Sequence, residues 1–240
     1  LGNSVRNSHR VRYHGCMSAA DGTSSLDKPQ GQSRREEIVN SITHGLGIPM
    51  SIAALVVLLI QASDHTAWHV VSVSVFGASM ILLYLASCVY HAACAWKPRR
   101  VFQVLDHAFI FILIAGTYTP FALVNLRGPF GWTLFGIVWA MAIGGIVLKA
   151  ILLPRYEKST SAIYLGMGWL SLFAMFELIA KVPTTGVIWL VIGGVFYTVG
   201  VAFFLMDRVR YAHAVWHFFV LGGSLSHVLA VFYGVVPSVA

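Results

Sequence analysis

The chain has 240 residues, of which 58% are hydrophobic and 10% charged, with a mean hydropathy of +0.76. That balance lies outside the range of soluble globular domains and defines an integral membrane protein. A formal net charge of +7 would suggest a nucleic-acid partner in a soluble protein; here the basic residues sit in short loops and a tail, so they report orientation and no nucleic acid is expected.

Residues 1–34 are polar and lack helical periodicity, the composition of a disordered tail. The tail has no apolar core of a secretory signal, and Met17 is a candidate start, which would make the residues before it extraneous. A single domain is expected over residues 35–240. Its long uncharged runs approach the about 20 residues that cross a hydrocarbon core as a helix, and the alternating pattern of a transmembrane β-barrel is absent. Seven runs qualify: residues 42–61, 70–91, 101–124, 132–152, 161–179, 187–206 and 212–233. The predicted fold is an all-α, seven-transmembrane helix bundle whose brief connections are punctuated by Pro98, Pro129, Pro154 and Pro183. Cys16 lies in the tail, Cys88 inside the second run and Cys94 just after it, so no disulfide framework or CxxC metal motif is readable.

His65 and His69, in the first loop, are expected in solvent. "GTYTPF", Gly116 to Phe121, is expected to relax or kink the third helix at Pro120, its hydroxyls being candidates to line a cavity. The pairs Gly144-Gly145, Gly193-Gly194 and Gly222-Gly223 suit close helix packing. Trp68, Trp96 and Trp132 sit near span ends as interfacial anchors, and Glu177 is placed to pair with Lys181.

The cations are strongly one-sided. Arg6, Arg10, Arg12, Lys28, Arg34 and Arg35 fall on the same side as Lys97, Arg99, Arg100, Lys149, Arg155, Lys158, Arg208 and Arg210, whereas the other side has Arg127 and Lys181. The positive-inside rule then puts the N-terminus in the cytoplasm and the C-terminus outside, the reverse of a G-protein-coupled receptor.

Given that orientation, the 1.5 Å rise per residue places His91, Asp106 and His217 roughly 10 Å inside the cytoplasmic charge line, on three different helices. His213 and His217 stand at i and i+4, as do Ser87 and His91, so each pair leaves one helix face. His227, ten residues after His217, points about 80° away and cannot join the same shell. Taken singly, His44, His91 or His213 reads as an interfacial side chain; Asp106 needs a partner or a watery cavity at that depth. Three imidazoles from two helices, with room for water, match the ligand count of a catalytic zinc site, whose metal brings the pKa of water toward about 7. Asp106 could accept or orient that water's proton, and Ser87 could hydrogen-bond a ligand or a developing oxyanion. The residues between the paired histidines are "AVW", so this is not the HExxH of soluble metalloproteases and any base comes from elsewhere.

Four stretches, "EEIVNSITHG", "SCVYH", "LDHAFIFILIAGTYTPF" and "HAVWHFFVLGGSLSH", resemble in order and spacing the bacterial hemolysin III family, which belongs with the progestin and adipoQ receptors and so with the adiponectin receptors. The resemblance covers residues 35–235 and implies zinc held by His91, His213 and His217, with Asp106 contacting the metal's water and Ser87 supporting the site. Glu36, Asn40 and His44 match the family signature without an assigned role, and His227 matches a histidine outside the metal shell. The family further implies a multi-pass protein of the bacterial inner membrane with membrane lipid as its surroundings and possible substrate. Three functions stay open: a zinc-dependent hydrolase of a lipid amide or ester bond, ceramidase-like; a zinc-containing receptor or regulator without catalysis; and a lytic pore, for which polar residues through the whole membrane depth would be expected.

Overall fold

The computed structural model describes residues 32–93, 99–152, 159–206 and 208–237. Those residues are 88% helical, with no strand among them. Most of the tail read as disordered, together with Cys16, Cys94, Trp96 and several loop cations, lies outside the described residues.

Helix α1 (Arg34–Ala62) starts at a capping box, in which the Glu36 amide donates to Ser33 Oγ and the Ser33 amide to Glu36 Oε2. It begins about two turns before the apolar run that announced it, because Glu37, Asn40, Thr43, His44, Gly47 and Ser51 form a buried stripe along one side. Next come α2 (Ala67–Ala92) and α3 (Arg99–Pro120); α4 (Pro129–Leu152) follows a π-helical turn, Phe121–Asn125. The kink expected at Pro120 takes this form: with Pro120 unable to donate, the ladder widens and the Leu126 amide bonds Phe121 O at 2.9 Å. The nearby hydroxyls turn back onto their own helix. Thr117 and Thr119 donate to the carbonyls of Leu113 and Ala115 four residues back, and Trp139 Nε1 donates to Thr119.

The fifth expected span is broken. Helix α5 (Ser159–Trp169) passes through a 3-10 turn, Leu170–Leu172, into α6 (Met175–Lys181), and the two helices are bent by 50°. Gly166 and Gly168 weaken the helix there. The carbonyls freed by the break are satisfied from within the bundle, the Tyr118 hydroxyl lying 2.8 Å from both Met167 O and Gly168 O and Ser171 donating to Gly168 O. Irregular backbone at membrane depth requires such partners. Helices α7 (Thr184–Phe204) and α8 (Ala212–Gly234) complete the chain. Among the described residues six helices are long and apolar enough to cross a membrane, seven if the bent pair counts as one span.

Neighbours in sequence pack as neighbours in space, α1 on α2, α2 on α3, α3 on α4 and α7 on α8, while α8 also returns to α1. That closure makes α2, α3 and α8 the inner helices. In α3, 72% of the apolar window is buried, against 11% in α7, whose outward face of Ile188, Val191, Val195 and Val199 has the composition that lipid requires. Of each glycine pair at least one member faces a neighbour: Gly145 abuts Phe111, Gly193 the His227 ring, and Gly222 and Gly223 meet Phe196 and Tyr197, while Gly144 and Gly194 face open space. Trp68 and Trp132 meet edge to face at 5.6 Å with the Arg127 guanidinium 4.7 Å over Trp68, a compact end anchor. Lys181 pairs with Glu177 at 2.8 Å. His69 corrects an expectation: it is buried in the first turn of α2, with Thr66 Oγ1 3.0 Å from its Nδ1 and its ring stacked on exposed His65.

Candidate metal centre

Three elements meet where α1 and α8 begin and α2 ends. The αL conformation of Tyr211 (φ 61°) turns the chain into α8, and the Tyr211 amide donates to Glu36 Oε1 at 3.0 Å, so a carboxylate from α1 occupies the electropositive start of α8. Two residues on is His213, and one helical turn further His217. Both face His91 from the last turn of α2.

The three rings converge. Their centroids are 5.1, 5.1 and 4.6 Å apart, and one nitrogen from each lies within 4.8 Å of the others, close enough to hold a metal ion. The Nε2 atoms of all three are buried without a hydrogen-bond partner among the described residues. Leaving one buried polar atom unpaired costs about 1–3 kcal/mol, so three together point to a ligand that takes their lone pairs.

The other ring nitrogens are held. His217 Nδ1 is 3.2 Å from the Asn40 carbonyl and 3.0 Å from Thr43 Oγ1. The carbonyl only accepts, and the Thr43 hydroxyl is itself spent on Asn40 O, so His217 Nδ1 carries the proton and Nε2 offers the lone pair. His91 Nδ1 faces Glu37 Oε2 at 2.7 Å, with the same consequence for its Nε2.

His44 is a fourth imidazole beside the cluster. Its ring stacks on His217 with centroids 3.4 Å apart and planes 12° from parallel, and its Nδ1 lies 2.7 Å from Ser87 Oγ. Far from being interfacial, it is buried. Ser87 thus reaches the centre through His44. Asp106 is buried on α3 at 3% exposure and engaged by neighbours, but stands outside the triplet of nitrogens. His227 also stands apart, with Nε2 3.3 Å from Leu190 O.

Sequence reasoning passed over Glu37 and Thr43. The signal was available in the helical phase: Glu37 and His44, seven residues apart, fall on one face with Asn40 between them, whereas Glu36 lies about 80° from His44 and turns to Ser33 and Tyr211. A polar stripe at helical spacing in an apolar helix marks the side that faces a site.

Fold and site together define a multi-pass α-helical membrane protein with a three-histidine cluster at one end of its bundle. Residues 32–228 match the family described as haemolysin-III related, and the chain belongs to that family. It is 47% identical over 205 residues to "Hemolysin-3" of Bacillus cereus, covering 85% of this chain and 94% of that protein. The "Hemolysin-3 homolog" of Bacillus subtilis is 44% identical over 200 residues, covering 83% and 94%. A more distant likeness, 28% over 204 residues and 82% and 83% of the two chains, joins it to the human "Monocyte to macrophage differentiation factor", an adiponectin-receptor-like protein of the same superfamily.

Proposed function

We propose that His91, His213 and His217 hold zinc and that the protein hydrolyses an amide or ester bond of a membrane lipid. One observation carries this reading: three buried Nε2 atoms lack partners, and on His91 and His217 the opposite nitrogen is fixed by an acceptor. Three neutral imidazoles with a position left open are a catalytic zinc set. Bound there, zinc supplies Lewis acidity to a carbonyl and to water. Asp106 takes the proton of the attacking water and returns it to the leaving group. Ser87 serves the oxyanion: in the tautomer that protonates His44 Nδ1, His44 donates to Ser87 Oγ and leaves the serine proton to donate outward. The surrounding apolar helices exclude bulk water and hold acyl chains.

Orientation follows from the fourteen cations on one side against two on the other. The N-terminus is cytoplasmic, the zinc centre lies near the cytoplasmic face, and the membrane is the bacterial inner membrane. The test is elemental analysis of the detergent-purified chain, followed by a screen of lipid amides and esters with wild type and Asp106→Asn. About one zinc per chain, turnover in the wild type, and retained metal without turnover in Asp106→Asn are expected. Full turnover in Asp106→Asn would sink the mechanism.

The likeness to the differentiation factor favours a second reading, a receptor or regulator with structural zinc. In that case zinc removal changes stability or partner binding and no lipid is consumed.

A further inference from the structure

Three imidazoles bring no charge, so a divalent cation among them would leave its full double charge in an apolar bundle, a costly arrangement unless an anion stands close. Besides Asp106, assigned above to the water's proton, a second buried carboxylate touches a ligand: Glu37 is 3% exposed, and its Oε2 lies 2.7 Å from His91 Nδ1. The groups that hold His217 are a carbonyl and a hydroxyl, both neutral. The adjacent acid, Glu36, spends its carboxylate on Ser33 and the start of α8.

We propose that Glu37 is a positioning residue of the metal centre: its carboxylate fixes the His91 tautomer and adds counter-charge that helps a divalent cation stay in the membrane. The proposal rests on the zinc reading above. It deepens that reading by assigning α1, which contributes no ligand, the control of metal affinity.

The experiment uses the full chain in detergent, titrated with zinc against a chromophoric chelator and with cobalt(II) for its absorption spectrum. Glu37→Gln keeps the shape and removes the charge; zinc affinity is expected to fall about 10–100-fold with a changed cobalt spectrum. Thr43→Val, which removes a neutral contact to His217, is expected to cost less, and Glu36→Gln to leave affinity unaltered. A purely structural tie between α1 and α2 would lower the melting temperature equally with and without zinc while sparing affinity. Zinc affinity of Glu37→Gln within twofold of wild type overturns the proposal alone, whereas a wild type that binds no zinc overturns the metal reading and this inference with it. Should the Gln variant not fold, Glu37→Asp decides, because a carboxylate one methylene shorter must weaken zinc several-fold; unchanged affinity again overturns the role.

Discussion

Helix α8 carries histidines in two settings. At its start, His213 and His217 each bring a nitrogen close to His91, and the Nε2 atoms of all three find no hydrogen bond among the described residues. Past its middle, Ser224 bonds the hydroxyls of Tyr84 and Tyr197 at 2.7 and 2.9 Å, and His227 lies against Tyr197 and Gly193 with Nε2 at the Leu190 carbonyl. Both regions are buried and polar, and both join α2 to α8. The difference is where the bonds end. In the deeper region hydroxyls and a carbonyl bond one another and the one histidine atom left without a partner among the described residues, His227 Nδ1, belongs to no three-residue cluster, so the contacts hold helices together. At the helix start, groups from α1 occupy the outer nitrogens of His91 and His217 and leave the inner ones aimed at a common point. Polarity inside a membrane bundle signals a site when unused lone pairs converge, and signals packing when the groups satisfy each other.

The widest separation is expected between two single substitutions. His217→Ala should eliminate bound zinc while His227→Gln retains it, both read by elemental mass spectrometry; loss of zinc from both variants would erase the distinction. Gly193→Val should come next. Its new side chain runs into the His227 ring and should lower stability by about 1–3 kcal/mol, seen as a reduced melting temperature with zinc content unchanged. Tyr84→Phe removes the hydroxyl that donates to Ser224 and should cost about 1 kcal/mol, again without loss of zinc; zinc loss there would mean that the two regions act as one. Glu177→Gln breaks a half-exposed pair with Lys181 and should shift stability by no more than about 0.5 kcal/mol by the same melting assay.

Much of this was legible in the residues. The i, i+4 spacing of His213 and His217 guaranteed a shared face, and the brief connections ensured that α2 and α8 would present their polar ends at the same level of the bundle. His227 was readable as an outsider from its phase alone. The bent fifth span was not: a hydropathy window sums over Gly166 and Gly168 without registering that Tyr118, from another helix, takes up the carbonyls freed nearby. His69 was misjudged for a related reason, since a polar residue at a loop edge looks solvated until the helix that starts there turns it inward.

Composition and periodicity by themselves determined the class of protein, the approximate spans and which histidines could share a face, because burial in hydrocarbon and the helical repeat act locally along the chain. Tertiary structure alone decided that the α1 face carrying Glu37 meets His91, that His44 stacks on His217 and contacts Ser87, and that one nitrogen from each of the three histidines comes to a common place. Apart from His213 with His217, each of those contacts joins residues about 40 to 180 positions apart, and only helix packing sets such distances.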